Sequence, residues 1–282
     1  MTDTSTTSTT TTEASLESAS LLGRISRLVQ DPQFYWWCGH VCLFSNALLH
    51  FTSVLSLHDY AYYYKRAYAG ALVSYAIVIW KTIGFPRRFD MEFVRDENVQ
   101  YFALAFYWYS YQPVTVTLIP FFIFSLFHAL AYISSTLIPA FAPTNSTTQH
   151  MLKSIKQYTD QHHETAMQAA AYAEVAAILS RLGIGVITFQ TSILALIVFT
   201  HFLRLRYYLS SYTREAIHST TARVDEWLLP GKHASVPPFV ARLYLNLKGI
   251  VIRYGSASTP ASTPRNSTVL KRSESSHSHH RR

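Results

Sequence analysis

The sequence predicts an all-α integral membrane protein with three or four membrane-embedded helical segments, one of them long and broken by prolines, and a C-terminal amphipathic helix. Three observations predict it. From Asn98 to Leu152 the chain holds no Lys, Arg, Asp or Glu. Two further uncharged stretches, Pro32 to His58 and Leu182 to Leu203, are each long enough for one crossing. A crossing takes about 20 apolar residues, because the hydrocarbon layer is ~30 Å thick and a helix rises 1.5 Å per residue. Finally, residues 204–282 hold 13 of the 24 basic residues and carry a net charge of +9, against −1 for everything before them.

In chain order, residues 1–20 are a Ser/Thr-rich, low-complexity tail expected to be disordered. They lack the basic start and apolar core of a cleavable signal, so the first crossing segment is expected to act as an uncleaved anchor. A membrane domain follows over 21–203. It opens on a short amphipathic lead-in, Leu21 to Gln30, with Arg24 and Arg27 on one face. Its segments fall at about 34–57, 67–85, 99–142 and 182–203. The second is weak, since only AYAGALVSYAIVIW separates Arg66 from Lys81; it crosses only if Lys81 snorkels. The third is twice too long for one span and carries Pro113, Pro120 and Pro139. Each proline removes a helix hydrogen bond and disfavours helix in the residue before it, so this segment either crosses with a bend or dips and returns.

Residues 204–254 read as cytosolic helices. Pro230-Gly231 stops the first, and Pro237-Pro238 opens the second, an amphipathic helix over 238–254. At 100° per residue, Phe239, Val240, Leu243, Tyr244, Leu247, Ile250, Val251 and Tyr254 share one arc, flanked by Lys248 and opposed by Arg242 and Arg253. Such a helix either lies in a membrane interface or packs on the protein's own helices. Residues 255–282 form a disordered basic tail suited to anionic lipid, with no direct nucleic-acid partner expected.

Basic flanks favour the cytosol, which places the C-terminal tail there. The rule does not decide between four spans and three, because exchanging Arg24 and Arg27 for Lys65 and Arg66 leaves the balance unchanged. Both models put residues 143–181 in the lumen, including the acceptor sequon at Asn145, provided the long apolar run crosses a net once.

Catalytic chemistry is sparse. His163-Glu164 begins like a zinc-protease helix, but Met167 stands where the second ligand belongs. Cys38, His40 and Cys42 share the first span without partners for a metal, and two such cysteines give no disulfide framework. No cofactor is expected. His128 is the intramembrane ionisable group of the long run, and such residues are functional candidates by default. A membrane enzyme or transporter built on His128 is therefore the alternative to a non-enzymatic role.

The strip Gln112 to Pro120 (QPVTVTLIP), with Pro113, Val114, Thr115 and Pro120, continues through Phe124-Ser125-Leu126-Phe127-His128-Ala129 to Tyr132. It resembles the transmembrane protein 33 family, which includes fungal pore-membrane nucleoporins of similar size. Gln112 replaces the family's tyrosine. His201 to Tyr207 and Pro238 to Leu243 extend the similarity over roughly residues 25–254. The resemblance implies a non-enzymatic, multi-span protein of the endoplasmic reticulum and nuclear envelope. It implies roles in shaping membrane and in nuclear pore complex assembly or distribution. Reticulon-type membrane proteins and nucleoporins are the implied partners; the basic tail adds a soluble acidic transport receptor as an expectation.

Overall fold

A computed structural model describes residues 21–56, 61–84, 91–142, 145–228 and 237–256, all of them helix or short connection. The chain divides into two compact units, one ending at Ala222 and one beginning at Arg223. Of the expected tails, residues 1–20 and 257–282 lie outside the described residues, while Gly255 and Ser256 belong to the last helix.

A short helix, α1 (residues 21–30), leads into α2 (Pro32–Leu55), whose start is set by Asp31 accepting from the Gln33 N–H at 2.9 Å with Pro32 in the first turn. Beyond it, α3 (Ala61–Thr82) is the weak segment of the sequence. It forms 22 helical residues, about 33 Å at 1.5 Å per residue. The pair is antiparallel. Lys81 bonds Gln33, Ser74 donates to the Trp36 carbonyl, and Cys42 lies against the Arg66 carbonyl. Where they cross, Gly39 meets Gly70. A Cβ on Gly70 would lie 2.6 Å from the Gly39 oxygen and 2.8 Å from the Leu43 nitrogen, so only glycine permits this backbone approach.

The long uncharged run folds as a second hairpin. After α4 (Met91–Arg95), α5 (Glu97–Ser110) starts on an Asp96 cap and runs antiparallel to α3, with Tyr75 stacked on Tyr101 at 5.8 Å. Tyr111 to Val114 is extended, a single 3-10 turn covers Thr115–Thr117, and α6 (Leu118–Tyr132) returns. Of the three prolines, only Pro113 breaks helix. Pro120 sits in the first turn of α6, where its missing N–H costs nothing. Pro139 lies in α7 (Ile138–Phe141), which continues α6 through a wide π turn at Ile133–Leu137; a π turn is a common way to absorb an unpaired carbonyl in a helix.

A third hairpin corrects the expectation of one span over 182–203. The helical rod Ser146–Ile187 comprises α8 (Ser146–Tyr172), a π turn at Ala173–Ile178 and α9 (Leu179–Ile187). It then turns through 188–192 into α10 (Ile193–Leu209). Gly185 allows the turn by accepting from the Gln190 and Thr191 N–H groups at 2.7 and 2.9 Å, and Phe189 adopts φ 59°. Hydropathy does not register such a break, because every residue on both sides of it is apolar or uncharged. At Ser210 the chain bends by 116° into the polar α11 (Ser211–Leu228).

All three hairpins open toward the same end. At this near end Arg24 donates to the Ala140 carbonyl at 3.1 Å, Lys81 meets Gln33, and Arg206 pairs with Glu97. The connector after Phe141 therefore lies beside α1 and on the same side as the end of α10. Of the two courses left open for the long run, the helices follow the one that dips and returns, so residue 145 lies on the side of α1 and of the end of α10. Among the described residues three helices are long and apolar enough to cross a membrane (Pro32–Leu55, Thr115–Phe141 and Ser146–Ile187), or four counting the bent α10–α11 pair. The fold class stands: an all-helical membrane protein.

The second unit contains the end of α11 and α12 (Pro238–Ser256), a helix over the residues where the sequence predicts an amphipathic one.

Candidate functional site

The Pro-Val-Thr strip is the junction on which the far end of the bundle closes. Pro113 ends α5, Val114 is buried, and its carbonyl accepts from the Thr117 hydroxyl at 2.7 Å. Thr117 in turn accepts from the hydroxyls of Tyr68 at 2.8 Å and Tyr64 at 2.9 Å. Thr115 meets His50 Nε2 at 3.1 Å. Tyr64, Tyr68 and Thr117 are fully buried, and each buried hydroxyl has a partner, as a low-dielectric interior requires. Lys65 reaches the carbonyls of Tyr109 and Tyr111. The threonines of the strip thus clamp α2, α3 and α6 together.

One helical turn after Pro120 the second half of the strip meets α2. Ser125 bonds His40 Nδ1 at 3.0 Å, both side chains buried. His128 sits at the bundle surface, its ring 4.7 Å from His40 and 5.2 Å from Trp36. Cys38 and Cys42 are free thiols, and no cluster of three His, Cys, Asp or Glu is placed to hold a metal among the described residues.

Sequence reasoning missed a second polar centre. Glu174 is 2 % exposed, on the π turn of the long rod, and accepts from the Tyr101 hydroxyl at 2.8 Å. Arg206 of α10 lies over the Tyr101 ring at 5.1 Å and pairs with Glu97 at 2.6 Å. Beside Glu174 and Arg206 the free space is about 20 Å³, room for a single water rather than a substrate. One signal existed: Glu174 is the lone acid in the run AAAYAEVAAIL, and an ionisable group within a membrane domain needs a named partner.

In α12, Phe239 is 69 % exposed, Val240 is half-buried, and Arg242 and Arg253 are exposed. The side chains of Leu243, Leu247, Ile250 and Val251 lie outside the described residues. Lys248 departs from its expected place at the membrane face. Its ammonium pairs with both Asp225 oxygens at 2.6 and 2.7 Å, and Tyr244 donates to the same carboxylate at 2.6 Å. These bonds, Lys248 first, hold Asp225 below the usual carboxylate range. Burial, and then Asp225, push the Tyr244 hydroxyl up to about 12.

A family model described as transmembrane protein 33/nucleoporin POM33 matches residues 17–257. The chain belongs to this family. Among members of the transmembrane protein 33/POM33 family, "Tetra-spanning protein 1" of Schizosaccharomyces pombe is 30% identical over 249 residues, covering 83% of this chain and 88% of that protein. "Pore membrane protein of 33 kDa" of Saccharomyces cerevisiae is 28% identical over 252 residues, covering 83% and 87%. "Nucleoporin POM33" of Chaetomium thermophilum is 28% identical over 254 residues, covering 81% and 87%. No solved structure matches. The match to the transmembrane protein 33/POM33 family takes in all three hairpins and α12, so the clamp and the polar centre both fall within the family region.

Proposed function

We propose that this protein is a non-enzymatic organiser of endoplasmic-reticulum and nuclear-envelope membrane that contributes to nuclear pore complex assembly or distribution. The observation that carries the reading is the one-sided arrangement of the hairpins. Within the first unit polar contacts tie the near end, where Arg24 meets the Ala140 carbonyl, Lys81 meets Gln33 and Arg206 meets Glu97. Hairpins that enter from one leaflet displace more area in it than in the other, which favours a curved bilayer.

The near end faces the cytosol in this reading. Arg24, Arg27, Lys81, Arg95, Arg204 and Arg214 belong to it, while Lys65, Arg66 and Arg181 belong to the far end. The exposed Phe239, Arg242 and Arg253 of α12 supply a foot on the cytosolic leaflet, and the basic tail adds affinity for anionic lipid or for a soluble transport receptor. The names of relatives support the membrane in question, among them "Pore and endoplasmic reticulum protein of 33 kDa" of Saccharomyces cerevisiae. Reticulon-type proteins and nucleoporins are the partners to seek.

Reconstitution of the full chain into vesicles tests the reading. Tubulation, or enrichment in small vesicles over large ones, is expected, and deletion of 238–256 should reduce it. Vesicles unchanged in shape at any protein density, with no preference for radius, would overturn it. The competing reading, a membrane enzyme or transporter using His128, has against it the position of that ring on the surface.

A further inference from the structure

The turn between α9 and α10 has two properties that belong together only in lipid. Four large apolar side chains stand exposed on it: Ile184 is 59 % exposed, Ile187 77 %, Phe189 96 % and Ile193 63 %; its polar edge carries Gln190, whose side-chain oxygen lies 3.5 Å from the Arg181 guanidinium. Its backbone donors, by contrast, are satisfied internally. Every N–H from Thr188 to Ser192 has a protein acceptor. Thr188 donates to Ile184, Phe189 to Val186, and Gln190 and Thr191 both to Gly185. Ser192 donates to the Tyr111 hydroxyl at 2.8 Å. The Thr188 hydroxyl folds back on the Ile184 carbonyl, Ser192 caps the Leu194 N–H, and the Gln190 carbonyl receives Gln112 at 2.7 Å.

A turn in water needs no such closure, because solvent supplies the missing partners; irregular backbone in hydrocarbon survives only with it. Depth agrees. Lys65, the fifth residue of α3, reaches the carbonyls of Tyr109 and Tyr111, and Tyr111 in turn bonds Ser192, so the second and third hairpins end beside the first turns of α3.

The geometry points to the α9–α10 turn as a re-entrant tip that ends within the far leaflet and takes acyl chains as its ligand, without emerging into the aqueous space beyond. Gly185 makes the tight turn, Phe189 and Ile187 anchor it in the chains, and the second hairpin closes its polar edge. This inference rests on membrane integration alone and stands or falls independently of any role in curvature.

Spin labels on the full chain in bilayers test it, with Cys38 and Cys42 replaced by alanine and single cysteines introduced as Phe189→Cys, Ile187→Cys and, as an aqueous control, Lys153→Cys. Collision with oxygen, which concentrates in lipid, is compared with collision with a water-soluble nickel chelate. At positions 187 and 189 the oxygen rate should exceed the nickel rate, with the reverse at 153. A nickel rate above the oxygen rate at both positions would place the tip in water and overturn the inference. Low rates for both reagents would show protein covering the tip, a second copy or a partner, and would overturn it equally. Two label positions guard against a fold defect in one variant, since Ile187 lies on regular helix.

Discussion

Gly70 and Gly39 are side-chain-free for a reason visible in one distance: the Gly39 oxygen is 2.6 Å from where a Gly70 Cβ would stand. Gly70→Ala forces α2 and α3 apart across a seam that also holds Ser74 and Cys42. A loss of about 1–3 kcal/mol is expected, the usual range for overpacking, read as a lowered melting temperature in detergent. The signal was present in the sequence as Gly70 and Ser74 four residues apart, a small-residue spacing; without the partner glycine on another helix it carries little weight. His128 invites the opposite expectation. Its ring contacts are with Trp36 and His40, which a phenyl ring can reproduce. His128→Phe should therefore leave membrane distribution and vesicle remodelling unchanged; abolition of function with an intact melting curve would instead favour a catalytic or transport role.

At the scale of elements, the α11–α12 contact is a charged latch with a definite pH window. Asp225 is held below its ordinary range, so its contribution is present above the unfolded carboxylate value and is lost only as pH falls through the lower folded one. Tyr244 is raised to about 12, so its contribution is present below the unfolded phenol value and is lost as pH rises through about 12. Between those limits the latch does not titrate. Asp225→Asn should speed amide exchange along α12 at neutral pH, and the wild-type exchange pattern should not change between pH 5 and pH 8 beyond the intrinsic chemical rate. Amphipathic patterning located this helix to within two residues of its observed end, because caps and periodicity are local. It misassigned Lys248, because the partner that claims it is on a different helix.

For the molecule as a whole, the hairpin arrangement predicts one topology. Tags at residue 10 and at residue 270 should both be accessible from the same side of sealed microsomes, and so should one at 150. If that side is the cytosol, Asn145 stays unglycosylated in spite of its sequon. The residue has a structural task, accepting from the Thr148 N–H at 2.8 Å to cap α8. A protected tag at 150 with exposed termini would refute the hairpin order. The membrane class and the helical content were legible because they follow from length and composition. The pairing of hairpins was not, because apolar lengths fix how many helices cross and not where a chain turns back. The Gly185–Thr191 turn hides inside uncharged sequence, and Glu174 acquires meaning only once Tyr101 and Arg206 are folded against it.

The crossing of α2 and α3 has one further consequence. Because each glycine leaves room for the other's backbone, the two positions behave as a single heritable unit. The first methyl at either site forces the separation, and a second one arrives in space already opened. The double variant should then cost less than the two single variants together. A lineage that lost one glycine would soon cease to need the other, so this pair should be kept or abandoned jointly.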